Sequence, residues 1–409
     1  MMSKNRQVRM VMRLTFFMLV LAACSSPTKK EKKAAVDYVN PFIGASTSVG
    51  AAGVYHGLGK TIPGATTPFG MVQVGPNTIT GGDNGSGYSY EHKTIEGFAF
   101  TQMSGIGWFG DLGNFLVMPT VGPLKTAAGK EGKTPGYRSS YDKESEQASA
   151  GYYGVNLTDY HIKAEMTAAP HSGMLRFTFP KSEESRIQID LARRVGGTAT
   201  EQYVRVLDDH SISGWMRCTP DGGGWGNGDG QADYTVYFYA EFSKPLKDVG
   251  VWRATIPDTA HRKRENVGAD YYQQWVADAT IETGIKDAKG KHLGFFTSFA
   301  TEDQEQVMMK AGISFVDEAG AKQNVNTEIK GWSFEEAHEH ARHLWSEALN
   351  KMQIAGGTEE EKTVFYTALY RTMLDPRSLQ DLDGRYPGGD GKIHKGSKGH
   401  KRRTIFSGW

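Results

Sequence analysis

Between Gly151 and Ala300 the chain breaks into short apolar or alternating segments closed by Gly, Pro, Asn or Asp. Leu175, Phe177 and Phe179 fall two apart, as do Ile187, Ile189 and Leu191, and residues 234–242 and 292–299 are richer still in aromatics. Side chains two apart share one face of a strand, so each segment can lay one face on a core. Strands at this spacing, with no helical period between them, predict a large antiparallel β-sandwich rather than an alternating α/β sheet. Gly at 50 of 409 residues, with 11% aromatics, fits a loop-rich β protein.

After about Gln323 the period changes. Phe334, Ala337, Ala341, Leu344, Trp345, Ala348, Leu349 and Met352 fall at steps of three and four, which predicts an amphipathic helix. A second helix is expected from Thr358, where Thr358-Glu359-Glu360-Glu361 fits a capping box, until Pro376 ends it. Val364, Phe365, Ala368, Leu369 and Met373 would be its core face. The fold class is therefore mainly β with C-terminal helices.

Residues 81–120 pack glycines, aromatics and a few acids into loops between apolar runs. That mixture suits a sugar-binding surface: aromatic rings stack on a pyranose, Asp and Gln take its hydroxyls, and glycines let the backbone come close. Lys plus Arg number 47 against 46 Asp plus Glu, so the balance points to a neutral ligand and away from nucleic acid.

The N-terminus carries Lys4, Arg6, Arg9 and Arg13, then the apolar run 14–21, then Ala22-Ala23-Cys24. This resembles a bacterial lipoprotein signal of the Bacteroidetes type, with Cys24 as the lipidated residue. The alternative, a transmembrane anchor, needs roughly 20 apolar residues, and the run is much shorter. A polar, lysine-rich tether follows. Cys218 is then left alone, as a buried or incidental thiol.

Several motifs fail on their context. The segment 105–110 matches G-x-G-x-x-G but leads into a strand-like run, not a helix, which counts against a dinucleotide site. His338-Glu339-His340 lacks the second histidine of H-E-x-x-H, since Arg342 stands there, and His338, His340 and His343 are expected on the wet side of their helix. Gln102 stands two before Ser104, where a nucleophile elbow needs Gly. The basic run from Lys392 to Arg403 reads as a solvated loop rather than a nucleic-acid site.

A family resemblance rests on longer runs. In order come NPFIG at 40–44, IPGATTPFGMVQVGP at 62–76, the stretch 86–120, PGYRSSYDKESEQASAGYYGVNL at 135–157, AEMTAAPHSGMLRFTFP at 164–180 and VFYTALYRTMLDP at 364–376, leading to DLDGRYPGGDGKIH at 381–394. Together they resemble glycoside hydrolase family 92, exo-acting α-mannosidases, over nearly all of 37–409. The resemblance implies a signal peptide at 1–23, a tether at 24–36, an N-terminal sandwich at 37–325, a helical linker at 326–355 and the start of an (α/α)6 catalytic barrel at 356–409. It implies an inverting, calcium-dependent removal of mannose from N-glycans or mannans, on an exported lipoprotein of the periplasm or outer-membrane surface. The acid, base and Ca2+ ligands would come from the helical domain past Trp409, so that the chain reads as a truncated product or fragment.

What remains is the sandwich's half of the pocket. Trp108 and Phe109 are candidates for stacking on a sugar, and Asp111 and Asp83 for its hydroxyls. Phe69, Gly70, Tyr88 and His56 occupy motif positions that the resemblance puts near the domain interface; Phe69, Tyr88 and Phe109 read equally well as core. Arg385 and Trp409 fall in its DGRY and FSGW motifs at the active-site rim, while Asp381 and Asp383 read as turn formers. The family's usual F-S-H-T-H-L-S-G run is replaced by Phe100-Thr-Gln-Met-Ser-Gly105, which leaves the mannosidic linkage open. A carbohydrate-binding module without activity and a related glycoside phosphorylase stand as alternatives.

Overall fold

The period-two segments become two antiparallel sheets. A computed structural model of the chain describes residues 33–46, 61–78, 86–104, 111–132, 134–195, 197–222, 233–257, 270–397 and 399–404. The first sheet has eight strands in the order Ala65–Thr66, Gln73–Asn77, Gly97–Ala99, Leu116–Val121, Ser182–Asp190, Leu293–Thr301, Val249–Arg253 and Thr280–Thr283. The second has nine, in the order Asp287–Gly290, Glu201–Val206, Ser211–Cys218, Tyr234–Phe242, Glu305–Ser314, Ser172–Phe179, Ile162–Ala168, Tyr152–Leu157 and Gln147–Ser149.

The alternation seen in the sequence sets which faces meet. Leu175, Phe177 and Phe179 of one sheet, Ile187 and Ile189 of the other, and Leu191 just past that strand are fully buried in a single cluster. Phe177 lies 6.4 Å, ring centre to ring centre, from both Phe98 and Phe179, the latter edge-on. Burying a side chain of this size contributes roughly 1.5–3 kcal/mol. The strands on either side of 105–110 both belong to the antiparallel first sheet, which removes the dinucleotide reading.

Four helices are present among the described residues: α1 (Asp270–Ala277), α2 (Glu318–Glu328), α3 (Phe334–Leu349) and α4 (Glu359–Arg371). Asp317 caps α2 by accepting from the Gly320 N–H, and the helix lies on the second sheet. Gly312 allows that approach, because a Cβ there would come within 2.0 Å of the Ala321 carbonyl oxygen. Ser333 caps α3, which buries Phe334, Ala341, Trp345 and Leu349. The Thr358 capping box forms in both directions at the start of α4.

Three expectations change. Phe365, Leu369 and Met373 pack half-buried on the core as expected, but the buried residues of α4 are Tyr366, Thr367 and Tyr370, whereas Val364 is 56% exposed and Ala368 is exposed too. The neighbours decide this: Tyr366 stacks on Tyr38 at 5.6 Å and Tyr370 packs on Trp345 at 4.3 Å. His340 and His343 are exposed, but His338 is half-buried beside Tyr152, 5.0 Å between ring centres. The basic run is solvated as expected but is not loop throughout, since Ile393–Lys395 pairs with Arg385–Pro387 in a hairpin. Cys218 is buried and unpaired, and burial pushes its thiol up to about 11.

Candidate functional site

The helical part meets the sandwich through polar bonds rather than apolar contact alone. Trp345 donates from Nε1 to the Thr66 carbonyl at 2.7 Å, and the Tyr370 and Thr66 hydroxyls are 2.9 Å apart. Gln73 Nε2 donates to the Leu374 carbonyl at 2.9 Å. Arg377, fully buried, donates to the Gln102 carbonyl at 2.7 Å and to Asp375 at 3.1 Å. Arg371 gathers the carbonyls of Pro41, Ile43 and Ile62, and burial lowers its pKa to about 10.

At the edge of this seam lies a cleft of about 550 Å³. Phe69, Pro170, His171, Gln380, Asp381 and Asp383 line it together with Lys395, His400, Lys401 and Arg403. Phe69 has φ at 56°, a left-handed conformation, and both its backbone groups cross the seam: its N–H donates to Met373 at 2.6 Å and its carbonyl accepts from Ser378 at 2.9 Å. Gly70 cannot be larger without movement, since a Cβ would stand 2.4 Å from Thr67 Oγ1.

His171 joins three elements. Its Nδ1 lies 2.6 Å from Glu328 of α2 and its Nε2 lies 2.9 Å from the Gln380 carbonyl. Burial alone would lower the His171 pKa, but the Glu328 carboxylate outweighs it and the value is raised. Both ring nitrogens face acceptors, which suits an imidazolium. Asp381, a buried residue of the cleft wall, accepts from Ser314 at 2.6 Å and Asn324 at 3.0 Å, and burial raises its pKa. Its carbonyl accepts from Gly384, as a turn requires.

The predicted site residues separate sharply. Phe69 and Gly70 stand at or beside the cleft. Arg385 is held by Asp383 through Nε and by Asp317 through both terminal nitrogens, and its hydrogen bonds hold the Asp317 carboxyl below its usual range. Asp111 is not a free acceptor for hydroxyls: fully buried Arg194 reaches it at 2.7 and 3.0 Å and Tyr234 donates to it at 2.6 Å. A buried guanidinium needs that counter-charge. Tyr88 is fully buried with its hydroxyl 2.8 Å from Glu146. Cys24, His56, Asp83, Trp108, Phe109 and Trp409 lie outside the described residues. His171, Arg371 and Arg377 were not singled out from the sequence, although two arginines beside Met373 and Leu374 in YRTMLDPRS, where the second helix ends, are the signal that could have found two of them. No group of three or more His, Cys, Asp or Glu among the described residues is placed to hold a metal ion.

Comparison with known proteins decides the family. The model of the glycosyl hydrolase family 92 N-terminal domain matches residues 38–314, and that of the family's catalytic domain matches 320–409. The chain belongs to glycoside hydrolase family 92. Among solved structures it is similar to a family 92 α-mannosidase of Bacteroides thetaiotaomicron, at 33% identity and a TM-score of 0.74, over 91% of this chain and 45% of that one. The same relative has been solved in complex with mannoimidazole. A family 92 inverting mannosidase of that organism, at 23% identity and a TM-score of 0.70 over 90% of this chain and 44% of that one, shares the fold. A curated relative from Arthroderma benhamiae, described as an uncharacterized secreted glycosidase, is 25% identical over 80% of this chain and 41% of its own length. The family 92 chain thus spans less than half the length of these relatives.

Proposed function

We propose that this chain supplies the sandwich domain and the first part of the catalytic domain of an exo-acting α-mannosidase. It removes terminal α-linked mannose from N-glycans or mannans with inversion. The observation that carries this reading is the match across both family 92 domains together with 33% identity to an α-mannosidase also solved with mannoimidazole. Inversion requires an acid to protonate the leaving oxygen and a base to activate water, roughly 6.5–9.5 Å apart. In this proposal both carboxylates, and the Ca2+ ligands, belong to the helical domain past residue 409. No described group here fits the ion, so no step is assigned to it.

The part of this chain is to bind and orient. Phe69, fixed by backbone bonds on both sides, presents a ring to the sugar at the seam. Trp108, Phe109, Asp83, His56 and Trp409 belong to the same proposal as further contacts, and Arg385 as the residue that sets the 381–385 turn. Export as a lipoprotein through Cys24 completes the reading, in keeping with the secreted relative. The test is release of mannose from aryl α-mannosides and mannobioses by the whole protein, with and without EDTA, with the first-formed anomer read by NMR. Loss of activity with EDTA and initial β-mannose are expected. Release indifferent to EDTA, initial α-mannose, or no release from any linkage would sink the mechanism.

A further inference from the structure

Three neighbouring strands of the second sheet, Glu201–Val206, Ser211–Cys218 and Tyr234–Phe242, carry a row of rings on the face turned away from the core. Tyr203 stands opposite Trp215 and Trp215 opposite Tyr237 in the strand register. Val204, Met216 and Phe238, one residue further along each strand, are fully buried in the core, so the three rings point the other way. The Tyr203 and Trp215 ring centres are 6.0 Å apart, with planes 32° apart. Helix α2 covers the next row, where Tyr239 is buried with Ala321 and Val325. Tyr203, Trp215 and Tyr237 stay half-buried and join no apolar cluster among the described residues. Neither tyrosine hydroxyl nor Trp215 Nε1 has a hydrogen-bond partner among those residues.

The rim of this row cancels its own charge. Lys289, which reaches to 5.4 Å from the Trp215 ring centre, pairs with Glu201 at 3.3 Å. Arg205 pairs with Glu318 at 3.0 Å, and Arg217 with Asp233. An acidic or basic partner would have to break one of these pairs; a neutral, hydroxyl-rich one would not. Rings suit such a partner, because an aromatic face packs on the apolar face of a pyranose while the wet polar ends bond its hydroxyls. The row also leads to the cleft: Tyr237 stands opposite Ser314, whose hydroxyl holds Asp381 of the cleft wall. With strands roughly 4.8 Å apart, three rings span about 10 Å, enough for more than one sugar. We propose that Tyr203, Trp215 and Tyr237 form a platform that binds a neutral glycan chain. That the glycan is a mannan rests on the mannosidase reading; the platform rests on the three rings and the cancelled charges.

The test is equilibrium binding to the chain by calorimetry, with α-mannotetraose, cellotetraose and methyl α-mannoside as probes. α-Mannotetraose is expected to bind at least about tenfold tighter than methyl α-mannoside, because it reaches more than one ring. That gain should hold from about 0.05 to about 0.5 M salt, since no charge on the ligand is there to be screened. Trp215→Ala is expected to remove the gain, and Trp215→Phe, which keeps a ring, to retain most of it. The double variant Tyr203→Ala/Tyr237→Ala gives a second route to the same loss should Trp215→Ala fail to keep its circular dichroism spectrum. Equal gain for cellotetraose would keep the platform and remove the mannan assignment. No gain for either tetraose, a gain that survives loss of the rings, or one that salt abolishes would overturn the platform. So would a dimer in the ultracentrifuge that Trp215→Ala turns into a monomer, because a second copy would then cover the rings. None of these touches the mannosidase reading, which release of mannose from aryl α-mannosides by the whole protein tests separately.

Discussion

The sandwich core and the seam beside the cleft bury comparable side chains by different means. In the core, Phe177, Ile187 and Val236 are wholly buried among other apolar groups. In the seam, Trp345, Tyr370 and Arg377 are buried and Arg371 is half-buried, and each makes a hydrogen bond across to the sandwich, although Arg371 Nε and Arg377 Nη1 find no partner among the described residues. Hydrophobic burial is non-directional, so the core fixes volume and leaves orientation loose. Hydrogen bonds fix distance and angle, and they do so where one wall of a binding cleft must be held against another.

Substitutions can break that contrast. Phe177→Ala should have the largest effect, about 3–5 kcal/mol of stability from lost transfer energy and a cavity, read from a denaturant midpoint. A loss below about 1 kcal/mol would mean the core collapses around the gap. Arg377→Met should cost about 3 kcal/mol by leaving Asp375 buried without its cation; an effect no larger than that of a surface substitution would count against the seam as a specific lock. Trp345→Phe keeps most of the packing but removes the bond to Thr66, so about 1 kcal/mol is expected. If it equals Phe177→Ala in cost, the seam is ordinary core after all.

The smallest effect is pH-dependent. The folded pKa of His171 is raised above its unfolded value near 6.5, so its contribution is fully present below about pH 6.5 and is lost as pH climbs through the folded value. The stability difference between the native chain and His171→Gln should therefore shrink from pH 6 toward about pH 9, in urea titrations at each pH. A difference that widened with pH would show that the ring is buried neutral.

The core was legible because period two survives any arrangement of neighbours: Leu175, Phe177 and Phe179 point inward wherever the second sheet lies. The capping box at Thr358 was legible because it is local. The face of α4 was legible in part: Phe365, Leu369 and Met373 do pack on the core, but the stripe records hydrophobicity and not which side is covered, and Val364 and Ala368 are left outside. Tyr366 and Tyr370 look amphipathic in sequence but find Tyr38, Trp345 and Thr66 in space. Asp111 failed as a free sugar contact for a similar reason, because Arg194 is distant in sequence and adjacent in the fold. Helix α2 escaped notice because its sequence, EAGAKQNVNTE, has little apolar periodicity.

Phe69 joins the two regions more intimately than any side chain does. Its amide proton is shared with Met373, and its carbonyl with Ser378, so exchange of that proton with solvent requires the helical part to lift from the sandwich. Deuterium uptake at this one amide then times the parting of the domains. Any glycan that binds across the cleft should slow that clock in proportion to its occupancy.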